Sequence, residues 1–301
     1  MTDTSAQPAL ALRALQAADF DRLLTWIRSA DDLWQRSGPR SFTWPLDRGQ
    51  LLRDLAARTH SGGLLAGVEK TGEMVGHVLL EAQHDHGLGH IGRVAIAPDQ
   101  RGRGLGTALM RATIRHGFDD LALHRLQLTV YTFNAAAIAT YRSVGFVVEG
   151  LARESTRGSK GWWDGLTMSL LEPDFRRPPA YGDQIRIAGP RDADRIAALL
   201  TERGCPFDRD RTSSQLLAWA IDPHGEVLVA EAEGSVAGVA AVHRVPYFHR
   251  AGAFTRVVAL SIEPGHRHDG VRQRLLDAVT RWAADRGAPS VEITSPGAPG
   301  G

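Results

Sequence analysis

The clearest structural signal in this 301-residue chain is the stretch Asp99–Met110, DQRGRGLGTALM. It follows an apolar strand that ends at Ala97 and leads into a segment whose apolar side chains recur at helical spacing. Three of its residues are alternating glycines, namely Gly102, Gly104 and Gly106. Glycines let backbone N–H groups approach a ligand closely, and a helix N-terminus carries partial positive charge. Because Arg101 and Arg103 add further positive charge, the loop is suited to a pyrophosphate group.

Two familiar nucleotide-binding loops fit this stretch poorly. A P-loop needs Gly-Lys-Ser/Thr, and this loop contains no lysine. A dinucleotide-binding fingerprint needs its third glycine one place later, where Thr107 stands. The open alternative to a phosphate-binding loop is a glycine-rich turn that only tightens strand-to-helix packing.

The sequence around the loop predicts a meander of strands with a small number of helices. Apolar runs bounded by turn residues predict strands over Leu10–Leu15, Gly63–Glu69, Met74–Gln83, Ile91–Ala97, Leu126–Tyr131, Phe146–Glu154 and Leu166–Leu170. Apolar residues at helical spacing predict helices over Asp19–Ser29, after Leu46, over Gly104–Phe118 and over Ala135–Tyr141.

The second half of the chain repeats the first in weakened form. The order of strand, turn, strand and strand recurs there, at Val227–Glu231, Gly234, Val236–Val242 and Val257–Ile262. The counterpart of the glycine-rich stretch is GHRHDGVRQRLL after Pro264, in which the loop residues become His266, His268, Gly270 and Arg272, and His268 and Arg272 replace two of the glycines. We interpret this second copy as degenerate and unable to bind the same ligand.

The segment Glu172–Asp183, EPDFRRPPAYGD, contains two adjacent prolines, which lack N–H donors and disfavour helix before them. This composition predicts a linker between two domains. The predicted domains are residues 8–171, which hold the glycine-rich loop, and residues 184–301, which hold the degenerate copy, with the linker over 172–183.

The charge balance and cysteine count exclude several classes of function. The 35 basic and 34 acidic residues nearly cancel, so the whole-chain field does not attract nucleic acid or an anionic membrane. No apolar run approaches the roughly 20 residues that span a bilayer. The single cysteine, Cys205, cannot close an intrachain disulfide, and it has no motif partner that would mark it as a nucleophile. We therefore expect a cytoplasmic protein, as a monomer or homodimer, with no nucleic-acid or membrane partner.

The glycine-rich stretch resembles the signature of the GNAT superfamily of acyl-CoA N-acyltransferases, Gln/Arg-x-x-Gly-x-Gly/Ala, which follows the fourth strand of that fold. A second motif, NAAAIATYRSVGF, resembles the same family at five positions, namely Asn134, Ala137, Tyr141, Gly145 and Phe146. The resemblance covers about residues 10–171, and GLARE and GWWDGLTM near its end are similar to ribosomal-protein N-terminal and small-amine acetyltransferases. It implies an α+β fold with a mixed, mostly antiparallel central sheet and flanking helices, present here as two tandem domains.

The resemblance also implies a reaction and a set of cofactor-binding residues. An amine attacks the thioester of acetyl-CoA directly, in a ternary complex, with the cofactor between splayed fourth and fifth strands. The residues that the family pattern assigns to acetyl-CoA are Val94, Ala95, Ile96, Gln100, Arg101, Gly102, Arg103, Gly104, Leu105, Gly106, Thr107, Asn134 and Ala137. Tyr141 is expected to protonate the departing thiolate, although a core aromatic is the alternative for a tyrosine on a short amphipathic helix.

The base that removes a proton from the ammonium substrate is less clearly marked. Some relatives carry a glutamate on the fifth strand, and this sequence has Thr129 there. Our candidates are Glu81 near the end of the third strand and His90 just before the fourth strand. A solvated strand-end residue is the alternative for both, and it is the favoured interpretation for His90. Trp34, Trp44 and Asp32 are the candidate acceptor-binding residues, with core packing or solvation as the alternative for each.

The stretch His84–His90, HDHGLGH, has residue types that bind zinc, but its spacing matches no familiar zinc pattern. We expect a hairpin loop there and no metal cofactor. The leading hypothesis is an acetyl-CoA-dependent N-acetyltransferase that acts on a primary amine of a small molecule. Acetylation of a protein N-terminus and non-catalytic sensing of acyl-CoA are the alternatives.

Overall fold

A computed structural model describes residues 10–39, 41–58, 63–69, 71–176, 181, 184–202, 208–266 and 268–293. The chain divides into two compact units. The first unit contains Met1–Asn134 and Val144–Arg176, and the second contains Ala135–Ser143 and Arg177–Gly301. Within the described part of the chain, no helix combines the length and apolar character that crossing a bilayer needs.

The first unit is built on a seven-stranded sheet in the order β1-β2-β3-β4-β5-β7-β6. Its strands are β1 Ala11–Ala14, β2 Gly63–Val68, β3 Met74–Gln83, β4 Leu88–Ile96, β5 Arg125–Tyr131, β6 Val147–Gly158 and β7 Gly161–Leu171. The pairing of β4 with β5 is parallel, and the other described pairings of this sheet are antiparallel. This confirms the predicted mixed, mostly antiparallel sheet.

Helices cover both faces of this sheet. They are α1 Phe20–Thr25, α2 Ala30–Ser37, α3 Arg48–Ala57 and α4 Leu105–Arg115. On β2, the side chain of Ala66 belongs to the buried cluster that contains Phe20 and Leu33, whereas the α-carbon of Gly67 faces Leu109 of α4. Because successive residues of a strand point to opposite faces, α1–α3 and α4 lie on opposite sides.

The second unit contains a five-stranded sheet in the order β12-β11-β10-β9-β8. Its strands are β8 Ile185–Ile187, β9 Gly225–Ala232, β10 Ser235–Pro246, β11 Ala253–Ile262 and β12 Ser290–Ile293. Its helices are α5 Ala135–Ser143, α7 Ala193–Thr201, α8 Arg209–Ile221 and α9 Val271–Asp285. The order β9-β10-β11-α9-β12, with a parallel last pair, repeats β2-β3-β4-α4-β5 of the first unit. This confirms the tandem repeat.

The structure differs in detail from three local predictions. The helix predicted over Asp19–Ser29 ends at Thr25, and α2 begins after Ser29 because the Ser29 hydroxyl accepts the Asp32 N–H at 3.1 Å. The expected hairpin loop is only the short 3₁₀ turn His84–His86, so His90 lies inside β4, opposite Glu81. The start of the predicted linker forms a short helix, α6 Glu172–Arg176.

Only part of the remaining linker lies among the described residues. Its two prolines, at 178 and 179, lie outside the described residues, as does Cys205. Helix α5, which the sequence places in the domain over residues 8–171, packs within the second unit. The domain boundaries themselves stay a prediction.

Candidate active site

The glycine-rich loop presents its backbone openly at the start of α4. Gly102 and Gly104 have φ of 79° and 76°, in the left-handed region that glycine adopts without a steric penalty, and Gly104 caps α4. A Cβ built on Gly102 would meet no other atom within 4 Å, beyond its own chain neighbours. The first N–H groups of α4 have no partner within the helix. The loop therefore offers free donors at the positive end of a helix dipole.

One of the two arginines of the loop is held in place. The guanidinium of Arg103 donates to Gln100 Oε1, and its Nη2 lies 3.1 Å from Glu69 Oε1. Both Arg101 and Arg103 are exposed. The loop thus has a positive rim with one fixed side chain.

Strands β4 and β5 separate before they end. Their described pairing stops where Ile91 faces Leu128, although β4 continues to Ile96 and β5 continues to Tyr131. On its other side, β4 stays paired with β3, and Ala95 and Ile96 face His77 and Gly76. The edge of β4 that faces β5 therefore leaves backbone groups without a strand partner, just before the glycine-rich loop.

A β-bulge lies in this open part of β4. Leu79 of β3 faces Gly92, whereas His77 faces Ala95, so Arg93 and Val94 together stand opposite a single residue. Arg93 takes a φ of 55°, which is uncommon for a residue with a side chain. The bulge redirects the backbone at Val94, one of the residues that the family pattern assigns to acetyl-CoA.

At the bulge, the side chain of Arg93 points inward and joins a network of ion pairs. Arg93 makes two hydrogen bonds to Asp54 of α3, and its guanidinium lies 4.6 Å from the centre of the Phe42 ring. Arg58 links the same Asp54 carboxylate to Glu81 of β3. Burial would raise the pKa of Asp54, but the hydrogen bonds and charge of Arg93 bring it below its ordinary value. The predicted base Glu81 is therefore engaged in an ion pair.

A mainly apolar cavity lies between the sheet and α1–α3 and reaches the bulge. Arg36, Asp54, His77 and Arg93 are among its lining residues. Nδ1 of His77 must donate to the Leu65 carbonyl at 3.0 Å, because a carbonyl only accepts. Burial lowers the pKa of His77 to about 4, so its ring is neutral at pH 7. The Nε atom of Arg36 is buried without a hydrogen-bond partner among the described residues.

The three predicted acceptor-binding residues differ in their burial and in their contacts. Trp34 packs partly buried against the apolar cluster under α1–α3, whereas Trp44 is 44% exposed. The Asp32 carboxylate accepts the Arg28 N–H at 3.2 Å and so helps to cap α2. Sequence reasoning missed an aromatic cluster at the end of β5, where the rings of Phe133 and Trp163 have centres 5.2 Å apart.

Tyr141 lies on α5, with 7% of its surface exposed. Burial raises its pKa well above the ordinary value for tyrosine, so the phenol stays protonated at neutral pH. Asn134 precedes the helix, and its N–H donates to the Tyr131 carbonyl at 2.9 Å. Ala137 lies on the same helix, in the second unit.

The described residues of the equivalent loop in the second repeat make side-chain contacts at the start of α9. Gly270 caps α9 with a φ of 72°, as Gly104 caps α4. The Asp269 carboxylate, however, lies 2.9 Å from Nδ1 of His266, and Arg274 donates to the Asp269 carbonyl at 2.9 Å. A carboxylate at this helix end repels an anionic ligand. Among the described residues of the whole chain, no group of three or more His, Cys, Asp or Glu side chains is placed to hold a metal ion.

Comparison with known proteins agrees with this arrangement. The family model described as "Acetyltransferase (GNAT) family" matches residues 23–146 and 194–297, which together form most of the chain. The chain belongs to the GNAT acetyltransferase family. Both repeats are therefore GNAT domains, and the glycine-rich loop lies in the first.

Several named relatives align with parts of this GNAT protein. The L-amino acid N-acetyltransferase AaaT of Escherichia coli is 35% identical over 103 residues, 34% of this chain and 64% of the relative. A mycothiol acetyltransferase of Pseudarthrobacter chlorophenolicus is 32% identical over 126 residues, 38% of this chain and 39% of the relative. The spermidine N(1)-acetyltransferase of Escherichia coli is 39% identical over 84 residues, 28% of this chain and 45% of the relative. Each alignment thus spans less than two thirds of the relative.

A solved structure shows the same fold. The spermidine N-acetyltransferase of Vibrio cholerae, crystallised with CoA and spermine, is 22% identical, with a TM-score of 0.50. The match covers 56% of this chain and 98% of the Vibrio protein. One GNAT domain of that size therefore accounts for about half of the present chain.

Proposed function

We propose that this protein is an acetyl-CoA-dependent N-acetyltransferase that acts on a primary amine of a small molecule by direct attack in a ternary complex. The observation that carries this proposal is the free backbone edge of β4, with its bulge, immediately before an open glycine-rich loop. Such an arrangement accepts an extended amide-containing chain at the strand edge and an anion at the helix end. The pantetheine arm and pyrophosphate of acetyl-CoA have these two properties.

Each part of the cofactor has a proposed partner. Backbone groups of Val94–Ile96 hydrogen-bond the pantetheine arm, and an N–H at the bulge polarises the thioester carbonyl. The amides of Gly102–Thr107 hold the pyrophosphate, with Gln100, Arg101 and Arg103 at its rim. Asn134 and Ala137 contact the cofactor near the second motif.

The proposed chemistry is a single acyl transfer without an acyl-enzyme. The amine nitrogen, after loss of the ammonium proton, attacks the thioester carbonyl carbon, the C–S bond breaks, and the Tyr141 hydroxyl gives its proton to the departing sulfur. As the amide forms, the nitrogen releases its second proton, which returns through solvent to the Tyr141 phenolate. Glu81 is the proposed acceptor of the ammonium proton, and its ion pair with Arg58 has to loosen for this step. Trp34, Trp44 and Asp32 are the proposed acceptor-binding residues.

The acceptor is proposed to be a small molecule because the named relatives include an L-amino acid N-acetyltransferase and a spermidine N(1)-acetyltransferase. An amine panel tests this directly. The purified chain is incubated with acetyl-CoA and, separately, L-amino acids, spermidine, spermine and a short peptide with a free N-terminus. Free CoA thiol is measured, and the acetylated product is identified by mass spectrometry.

We expect thiol release above the hydrolysis rate of an amine-free control with at least one small amine, together with an N-acetyl product. Product from the peptide alone would replace the small-molecule assignment with protein N-terminal acetylation. Tight acetyl-CoA binding without product from any acceptor would support the sensing function and contradict the enzyme.

A further inference from the structure

Helix α5 belongs to one repeat by sequence and to the other by packing. Its residues Ala135–Ser143 interrupt the first unit, which ends at Asn134 and resumes at Val144. Within the second unit, α5 packs against α8 and β8. A Cβ built on Gly189 would lie 3.6 Å from that of Ala139, so the helix approaches the second repeat closely. The degenerate repeat therefore supports the helix that carries Tyr141.

Arg142, next to Tyr141, makes the polar part of this support. Its Nη2 lies 2.9 Å from Glu226 Oε2 at the start of β9 and 3.0 Å from the Gly225 carbonyl oxygen. Its Nη1 donates to the carbonyl of Ala220, in the last turn of α8. Carbonyls in the last turn of a helix have no partner within it, so the guanidinium both caps α8 and complements its dipole.

The burial of this pair fixes the geometry of α5. The side chains of Arg142 and Glu226 are 7% and 4% exposed. Removing Glu226 would leave the buried charge of Arg142 without its counterion, and removing Arg142 would leave Glu226 only the more distant Arg286, at 3.9 Å; both changes are unfavourable. The planar guanidinium reaches one carboxylate and two carbonyls at once, which an ammonium on a flexible stem cannot reproduce. The rotation and height of α5 are therefore set by a specific polar contact, and Tyr141 is its sequence neighbour.

We propose that Arg142 is a positioning residue for acetyl transfer: through Glu226 and the end of α8, the degenerate repeat holds the helix that presents Tyr141. This inference rests on the proposed role of Tyr141 as the proton donor. It assigns the second repeat a task in turnover and none in binding the pyrophosphate of acetyl-CoA. Displacement of a catalytic group by about 1 Å can cost on the order of 100-fold in rate.

The test uses the full-length chain and an amine that the panel shows to be acetylated. Arg142→Met removes the whole contact, while Arg142→Lys and Glu226→Gln weaken it and keep hydrogen-bonding capacity. We expect Arg142→Met to lower kcat about 10- to 100-fold, with a much smaller change in the dissociation constant for acetyl-CoA by calorimetry, because most of the proposed cofactor contacts lie on β4 and the glycine-rich loop. Arg142→Lys should recover part of the lost kcat.

Leu275→Ala is the matched control for general destabilisation of the second unit. Leu275 is fully buried on α9, in the apolar cluster of the second repeat, and is not part of the Arg142 contact. All variants are assayed at a temperature where circular dichroism shows them folded. We expect Leu275→Ala to lower the melting temperature while its folded fraction keeps the wild-type kcat.

A double-mutant cycle shows whether Arg142 acts through Tyr141. In the Tyr141→Phe background, Arg142→Met should cost less than threefold, since the hydroxyl that it positions is absent. Independent, multiplicative losses would overturn the positioning role, as would a folded Arg142→Met with wild-type kcat. These outcomes leave the acetyltransferase intact, whereas a wild-type chain that acetylates no amine removes the proposed function and this inference with it.

Discussion

The two repeats place a glycine in the same conformation at the start of equivalent helices, yet they differ in what surrounds it. Gly104 and Gly270 have φ of 76° and 72° and cap α4 and α9. In the first loop the backbone is open, whereas in the second the Asp269 carboxylate and the guanidinium of Arg274 lie at the helix end. The left-handed glycine is thus required by the strand-to-helix turn in both repeats. The accessibility of the loop backbone differs between them, and this is the property that would decide whether a ligand binds.

The largest effect is expected from a substitution in the second motif of the first repeat, which tests whether that motif takes part in acetyl transfer. Tyr141→Phe keeps the ring and its packing but removes the hydroxyl, so kcat should fall while KM for acetyl-CoA stays nearly unchanged. General-acid assistance is worth about 10²- to 10⁴-fold, and the fair leaving ability of a thiolate favours the lower end. Steady-state kinetics measure kcat and KM of the variant, and pre-steady-state kinetics confirm that acetyl transfer limits the rate. An unchanged kcat from pH 6 to 9 would make Tyr141 a packing residue.

The next effect compares the two loops directly. Gly104→Asp puts a carboxylate where the pyrophosphate is proposed to bind, and we expect the acetyl-CoA dissociation constant to rise on the order of 100-fold. Gly270→Asp is a matched control, because it imposes the same residue at nearly the same φ in the loop that already holds a carboxylate. Calorimetry should show little change for that variant. Equal losses in the two variants would remove the distinction between the loops.

A milder measurement sharpens the same comparison without mutation. Saturating acetyl-CoA should slow amide hydrogen exchange across residues 102–107, by up to about 100-fold at a hundred times the dissociation constant. The corresponding amides before α9 should exchange at the same rate with and without the ligand. Protection that appears in both loops would indicate a second cofactor site and contradict the degenerate assignment.

Much of the first repeat could be predicted because its signals are local. The strand over Met74–Gln83 and the helix from Ala135 follow from apolar runs and turn residues within a few positions. The β4 bulge could not be predicted, because Arg93, rather than a glycine, takes the positive φ there. The contact of Arg142 with Glu226 joins residues 84 positions apart, which no local pattern encodes. The sequence thus predicted the turn that contains the glycine-rich loop more fully than the buried charges beside it.

A last comparison concerns one buried position on equivalent strands. Gly76 faces Ile96 in the first sheet, and Gly238 faces Ile262 in the second, so His77 and Val239 are equivalent. Burial lowers the pKa of His77 to about 4, below its ordinary value of about 6.5 in an unfolded chain. Between these values the unfolded state binds the proton and the folded state does not. Acid therefore favours unfolding, and stability rises with pH across this range.

We expect the free energy of unfolding to fall by about 1 to 2 kcal/mol between pH 7 and pH 5 through this group alone. Urea titrations at a series of pH values, in the wild type and in His77→Val, isolate the contribution. The variant installs the residue that the second repeat uses, so it should lose this part of the pH dependence, although it leaves the Leu65 carbonyl without its donor and lowers stability at pH 7. Val239→Thr, which adds a polar group without a titrating one, should keep the wild-type slope. Identical slopes in wild type and His77→Val would show that His77 titrates alike in the folded and unfolded states, and the first unit would then lose the acid sensitivity that distinguishes it from the second.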